Sequence, residues 1–120
     1  MKKTLILFIS ISGFLIGQPF NGMTLFSPTQ GGGGGGSFNT YLVNNELSVI
    51  NEWTHPRGAA SMPYLLPDST LVYPYRVESP TMGSGGVGGG ISKYSWNGDL
   101  IWNYEISNNT YQHHHDVEPI

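Results

Sequence analysis

The chain contains no cysteine, so a disulfide framework is excluded and any fold must be held by strand pairing and packing. It is also poor in positive charge. With five lysines and arginines in 120 residues and a net charge of -3, it offers no basic stripe for a phosphate backbone, and nucleic-acid binding is not expected. Nor is the charge negative enough for a polyanionic tail. The longest apolar run, Thr4 to Ile16, is too short to cross a bilayer comfortably.

That run reads instead as an export signal over residues 1–17. Lys2 and Lys3 form a positive start, the apolar stretch is broken only by Ser10, Ser12 and Gly13, and Gly17 is a small residue at a cleavage position. A secreted, periplasmic or cell-surface protein with no membrane span after cleavage is the expectation, and such a compartment argues against ATP and nicotinamide cofactors. Residues 18–37 carry Pro19, Pro28 and six consecutive glycines, Gly31 to Gly36, and read as a connector without side chains to bury. A phosphate-cradling loop is not supported there, because no Lys-Ser or Lys-Thr follows. About 80 residues, 38–120, remain to build a core.

Glycine, proline and aromatic residues are abundant, which suits short strands joined by turns. Three hairpins are expected. The first joins Thr40-Tyr41-Leu42-Val43 to Leu47–Trp53 through Asn44-Asn45, two residues that tolerate positive φ. The second joins Met62–Leu66 to Thr70–Tyr73 through Pro67-Asp68-Ser69, with Pro74 limiting the second strand to an edge or an end. The third joins Ile91–Trp96 to Asp99–Tyr104 through Asn97-Gly98, the strongest short hairpin signal in the chain. Before it, Gly83 to Gly90 formally contains G-x-G-x-x-G, but a strand rather than a helix follows, so a loop or a close backbone approach is the better reading.

Tyr41 to Leu47 and Tyr94 to Leu100 share a tyrosine, a turn, an acidic residue and a leucine at matching offsets, 53 residues apart, and each continues to a tryptophan, Trp53 or Trp102. About four strands per such unit is how one blade of a β-propeller reads, although a sandwich gives strands at the same frequency. The expected fold is therefore all-β, an incomplete propeller of about two blades of antiparallel strands. Trp53, Trp96 and Trp102 are expected to pack within it.

Chemistry concentrates in His113-His114-His115-Asp116. Imidazole changes charge near neutral pH and can donate, accept or attack, and a neighbouring carboxylate raises its basicity. On an extended strand His113 and His115 face one way, His114 and Asp116 the other. His-x-His on one face is also a way to offer two ligands to zinc, and a structural role is the remaining alternative. Arg57 and Arg76 sit at loop or strand ends, where they would either meet an anionic substrate or be solvated surface charges.

Taken together, Tyr41–Asn45 running to Trp53, Tyr64–Leu71, Gly89–Gly98 and His114-His115-Asp116-Val117 resemble the bacterial arylsulfotransferase-like family of secreted six-bladed propellers. The resemblance covers about two thirds of the chain. It implies transfer of a sulfuryl group from a phenolic sulfate ester to a phenolic acceptor through a sulfohistidine, with no nucleotide, metal or other cofactor. In that family the sulfated histidine lies further downstream, so this chain would be an inactive amino-terminal fragment whose His114 and His115 support sulfate binding and proton transfer, with Asp116 orienting an imidazole. Arg57 and Arg76 would be the substrate-binding cations. The other reading is a non-catalytic binding propeller at the cell surface, since folds of this kind host many functions.

Overall fold

The computed structural model describes residues 20–28, 38–83 and 85–120, which form seven strands and no helix. The strands are β1 (Met23–Phe26), β2 (Phe38–Asn44), β3 (Val49–His55), β4 (Tyr64–Leu65), β5 (Leu71–Arg76), β6 (Gly89–Tyr94) and β7 (Leu100–Glu105). They build two antiparallel sheets, β1-β2-β3 and the meander β4-β5-β6-β7. The protein is all-β, as expected from its composition. The export signal over residues 1–17 and the run Gly31 to Gly36 lie outside the described residues.

The segment read as a connector contains strand. Met23–Phe26 pairs with Asn44–Tyr41 of β2, setting Leu25 opposite Leu42 and bringing the Phe26 and Tyr41 rings to 5.7 Å. Two large apolar contacts on a short strand outweigh the neighbouring Pro and Gly residues.

All three expected hairpins form, and they share one turn geometry. In each, the residue before the loop donates its N–H to the residue after it and accepts from the third loop residue: Asn44 with Ser48 and Leu47, Leu66 with Thr70 and Ser69, Ser95 with Asp99 and Gly98. These are three-residue loops whose last residue is left-handed, with φ of 61° at Leu47, 63° at Ser69 and 90° at Gly98. The first and third turns are therefore not two-residue turns at Asn44-Asn45 and Asn97-Gly98; the third loop takes in Trp96 as well. Asn44 Oδ1 accepts from the backbone N–H groups of Glu46 and Ser48, which draws the loop out to Leu47. The equivalence between the first and third hairpins shifts by two residues in consequence. Leu47 matches Gly98 rather than Leu100, and the bulge at Leu42/Val43 matches the bulge at Lys93/Tyr94.

Pro74 does not end its strand. β5 pairs with β6 along its whole length, Leu71 to Arg76 against Tyr94 to Gly89. A strand residue directs its nitrogen and carbonyl to the same side, and the Pro74 carbonyl accepts from Ala60 N–H. The proline nitrogen thus faces away from β6, toward the short bridge between Ala59 and Tyr75, and the β5-β6 ladder loses no bond.

The sheets meet through Leu42 and Trp53 on one side and Leu71, Tyr73, Tyr75, Val77 and Tyr94 on the other. Trp53 Nε1 donates to the Ser95 carbonyl at 2.9 Å and its ring meets Trp96 edge-on at 5.5 Å. Trp102 departs from its expected packing role: it is 43% exposed against 1% for Trp53, because it sits on the face of β7 opposite to Asn103 and the core.

Candidate functional site

The antiparallel order brings the end of β3, the start of β4, the end of β5, the start of β6 and the end of β7 to one edge of the molecule. Loop 56–63, the glycine loop 85–88 and the tail 106–117 therefore converge there. His113 N–H donates to the Ile106 carbonyl and fixes the tail against the end of β7.

The four-residue cluster forms a tight turn and not an extended strand. His113 Nε2 donates to the Asp116 carbonyl at 2.8 Å, and the rings of His114 and His115 approach to 4.0 Å with a tilt of 38°. The alternating arrangement expected of a strand is replaced by two adjacent imidazoles on one side. Gly86 and Gly88 make room for them: a Cβ on Gly86 would overlap His114 Nε2, and one on Gly88 would overlap the His114 carbonyl oxygen. Gly86 also has φ of 71°, so the glycine loop is a close backbone approach in fact.

The Asp116 carboxylate orients no imidazole. It accepts from Ser61 Oγ at 2.9 Å, from Tyr64 Oη at 3.2 Å and from Val117 N–H. The Ser61 hydroxyl is the main reason its carboxyl is held below the usual carboxylate range, and in turn burial and Asp116 push the Tyr64 phenol up. Nδ1 of His113 and Nδ1 of His115 are buried without a hydrogen-bond partner. No group of three His, Cys, Asp or Glu side chains among the described residues is arranged to hold a metal ion.

The two arginines are not brought to this cluster. Arg57 lines a cavity of about 260 Å³ over β5, β6 and β7, with Tyr73, Tyr75, Tyr94, Asn103 and Glu105, and its Nη1 lies 3.4 Å from Glu78 Oε1. Tyr73 Oη donates to the Arg57 carbonyl. Arg76 ends β5 on the opposite face from Tyr75 and is exposed.

Sequence reasoning missed the partners of these groups. Ser61 and Tyr64 lie more than fifty residues from Asp116, and only the placement of β4 beside β5 brings them near it. It also passed over Tyr75, whose hydroxyl contacts Asn103 Oδ1 at 2.7 Å and Glu105 Oε1 at 3.0 Å and is pushed up to about 12, chiefly by burial. The alternation of Tyr73 and Tyr75 along β5 was the available signal.

No family model matches the chain, and neither a curated protein nor a solved structure matches it. Among the described residues no helix is long and apolar enough to cross a membrane.

Proposed function

We propose that the two sheets are adjacent blades of a secreted β-propeller of the arylsulfotransferase-like kind, and that His114 and His115 form part of its anion site. The observation that carries this reading is the pair of imidazoles at 4.0 Å, held over Gly86 and Gly88 at the edge where loops from both sheets meet. Two adjacent imidazoles can donate to the oxygens of a sulfuryl group, and one of them can pass a proton to a departing phenolate. The four-stranded meander and the shared turn geometry of the first and third hairpins support the blade assignment.

In this reading the donor is a phenolic sulfate ester, the acceptor a phenol, and the nucleophilic histidine belongs to a further blade. Asp116 acts on the site by anchoring the turn to Ser61 and Tyr64. The test is transfer from p-nitrophenyl sulfate to phenol by the whole propeller, beside its His114→Ala and His115→Ala variants. A fall of about a hundredfold or more in either variant is expected, the usual scale for an acid-base group. A folded whole propeller without turnover would sink the enzyme reading.

A second reading, a non-catalytic binding propeller, is favoured by a different observation. Asp116 and Arg57 already have partners within the chain, so neither is held in reserve for a substrate at the histidine turn.

A further inference from the structure

The match between the two sheets extends from their turns to their strand registers. With Leu47 set against Gly98, Thr40 lies opposite Trp53 as Ile91 lies opposite Tyr104, and Leu42 lies opposite Asn51 as Lys93 lies opposite Trp102. β1 corresponds to β5 in the same way. Phe26 lies opposite Tyr41 where Tyr73 lies opposite Ser92. Cross-strand pairs share a face, so each face of one sheet has a counterpart on the other.

The first sheet docks on the second with the face that carries Leu42, Asn51, Trp53 and His55. Trp53 is 1% exposed, Asn51 Nδ2 donates to the Trp96 carbonyl at 2.7 Å, and His55 stacks on Tyr73 at 3.6 Å. The counterpart of this docking face on the second sheet holds Ile91 at the place of Thr40, Trp102 at that of Asn51 and Tyr104 at that of Trp53. These are apolar or aromatic side chains, yet Trp102 is exposed and Tyr104 is 61% exposed.

The receiving face of the second sheet includes Tyr73, which is 1% exposed beneath His55, with Leu100 at its margin. Its counterpart on the first sheet holds Phe26 at the place of Tyr73 and Val49 at that of Leu100, beside Tyr41. Phe26 is 41% exposed and Val49 is exposed as well. The chain therefore leaves open one docking face and one receiving face, the two kinds of surface that it buries against each other between its own sheets. Stacked repeats leave such faces at their two ends, and exposed apolar patches of this kind mark interaction surfaces.

Charge selects how two copies would meet. The only charged side chains on the strands of the open docking face are Lys93 and Arg76, whereas the only one on the strands of the open receiving face is Glu52. Either face against its own copy sets like charges together, and the two different faces set opposite charges together.

We propose that copies of this chain associate head to tail, the Ile91, Trp102 and Tyr104 face of one docking on the Phe26, Tyr41 and Val49 face of the next. The contact repeats between chains the one that the two sheets make within a chain. Because each copy uses two different surfaces, assembly continues beyond a dimer. This inference rests on taking the sheets as repeated units, the blades of the proposed propeller, and not on the histidine turn or on sulfuryl transfer.

Sedimentation velocity of the purified chain over a range of concentrations is the test, and a mass that rises with concentration past that of a dimer is expected. Tyr104→Asp would face Glu52 of the neighbouring copy, and Phe26→Lys would face its Arg76, so each should weaken self-association about tenfold or more. Mixed in equal amounts, the two variants should form a dimer of one of each and nothing larger, since one retains an intact receiving face and the other an intact docking face. Both residues are exposed, and amide spectra should show each variant folded; Trp102→Lys and Val49→Asp at the same two faces serve if either variant does not fold. A parent chain that remains monomeric, folded variants that associate like the parent, or a mixture that stays monomeric would each overturn the proposal. A monomer would leave sulfuryl transfer untouched, and an inactive propeller would leave this contact untouched.

Discussion

The four histidines fall into two groups with opposite surroundings. His113, His114 and His115 share a partly exposed turn held against a glycine loop. His55 is alone in sequence and only 2% exposed, sandwiched against Tyr73 with its Nε2 2.9 Å from Thr40 Oγ1, which in turn lies 2.7 Å from Ser27 Oγ. Three imidazoles in a row draw attention in a sequence, whereas the isolated one joins the two sheets. Density of titratable groups along a chain says where chemistry could be. Burial, which the sequence does not print, says which group is tied to the fold.

The sharpest way to break this comparison is to remove a wall of the His55 compartment. Trp53→Ala deletes a fully buried indole and removes one of the two donors to the Ser95 carbonyl, so a loss of about 3–5 kcal/mol is expected. Small domains have about 5–15 kcal/mol in all, and urea unfolding followed by tyrosine fluorescence should show a chain near its stability limit. His115→Ala, at the partly exposed turn, should lower the midpoint far less. Equal losses at the two sites would erase the distinction between them.

Acid is the next largest effect and separates the same groups. Burial lowers His55 to about 4, against 6.5 for a free imidazole. Above pH 6.5 the ring is neutral in both folded and unfolded chains, and its contribution is complete. As pH falls below 6.5 the unfolded chain takes up a proton that the folded chain refuses, so stability drops by about 1.4 kcal/mol per pH unit until about pH 4. The total is roughly 3 kcal/mol. Asp68 and Asp116, whose carboxyls are lowered, lose their contributions only at still lower pH. Urea midpoints measured from pH 7 to 4.5 should fall steadily in the parent chain and in His115→Ala. They should fall much less in His55→Gln, which cannot titrate; an unchanged slope in that variant would refute the role given to His55.

Much of the fold was legible because hairpin signals are local. Asn97-Gly98, the Pro67-Asp68-Ser69 turn and the alternation after Phe38 each specify a turn or strand within a few residues, and all three hairpins formed. What failed depended on longer range. β1 is strand only because Leu25 and Phe26 find Leu42 and Tyr41, and Pro74 is tolerated only because its nitrogen faces away from β6. At the candidate site the composition of the histidine turn was visible, and so was a close approach of glycine backbone. The partners were not, since Ser61, Tyr64 and Asp116 meet through the order of strands in the sheet.

The glycine loop offers a smaller perturbation. Gly88→Ala places a methyl group against the His114 carbonyl oxygen, which is backbone and cannot rotate away, so the turn must shift as a unit. A loss of about 1–3 kcal/mol is expected, the usual range for overpacking. The histidine ring resonances should move while those of His55 stay in place. Movement of all four would mean that the turn and the core are one cooperative unit.

The smallest effect concerns the turns themselves. The first and third hairpins use the same loop, yet the left-handed position is leucine in one and glycine in the other. A side chain in that conformation costs about 1–2 kcal/mol, and Leu47 is 80% exposed, so little packing offsets the strain. Leu47→Gly should therefore stabilise the chain by about 0.5–1 kcal/mol after the added freedom of glycine in the unfolded state is subtracted. Gly98→Ala, with φ of 90° and open space around it, should destabilise by a similar amount through the backbone alone. Opposite signs of similar size, read from urea midpoints, would establish that the two loops are energetically equivalent and differ only in which residue occupies the strained position. A destabilising Leu47→Gly would mean instead that the exposed leucine makes contacts that outweigh its strain.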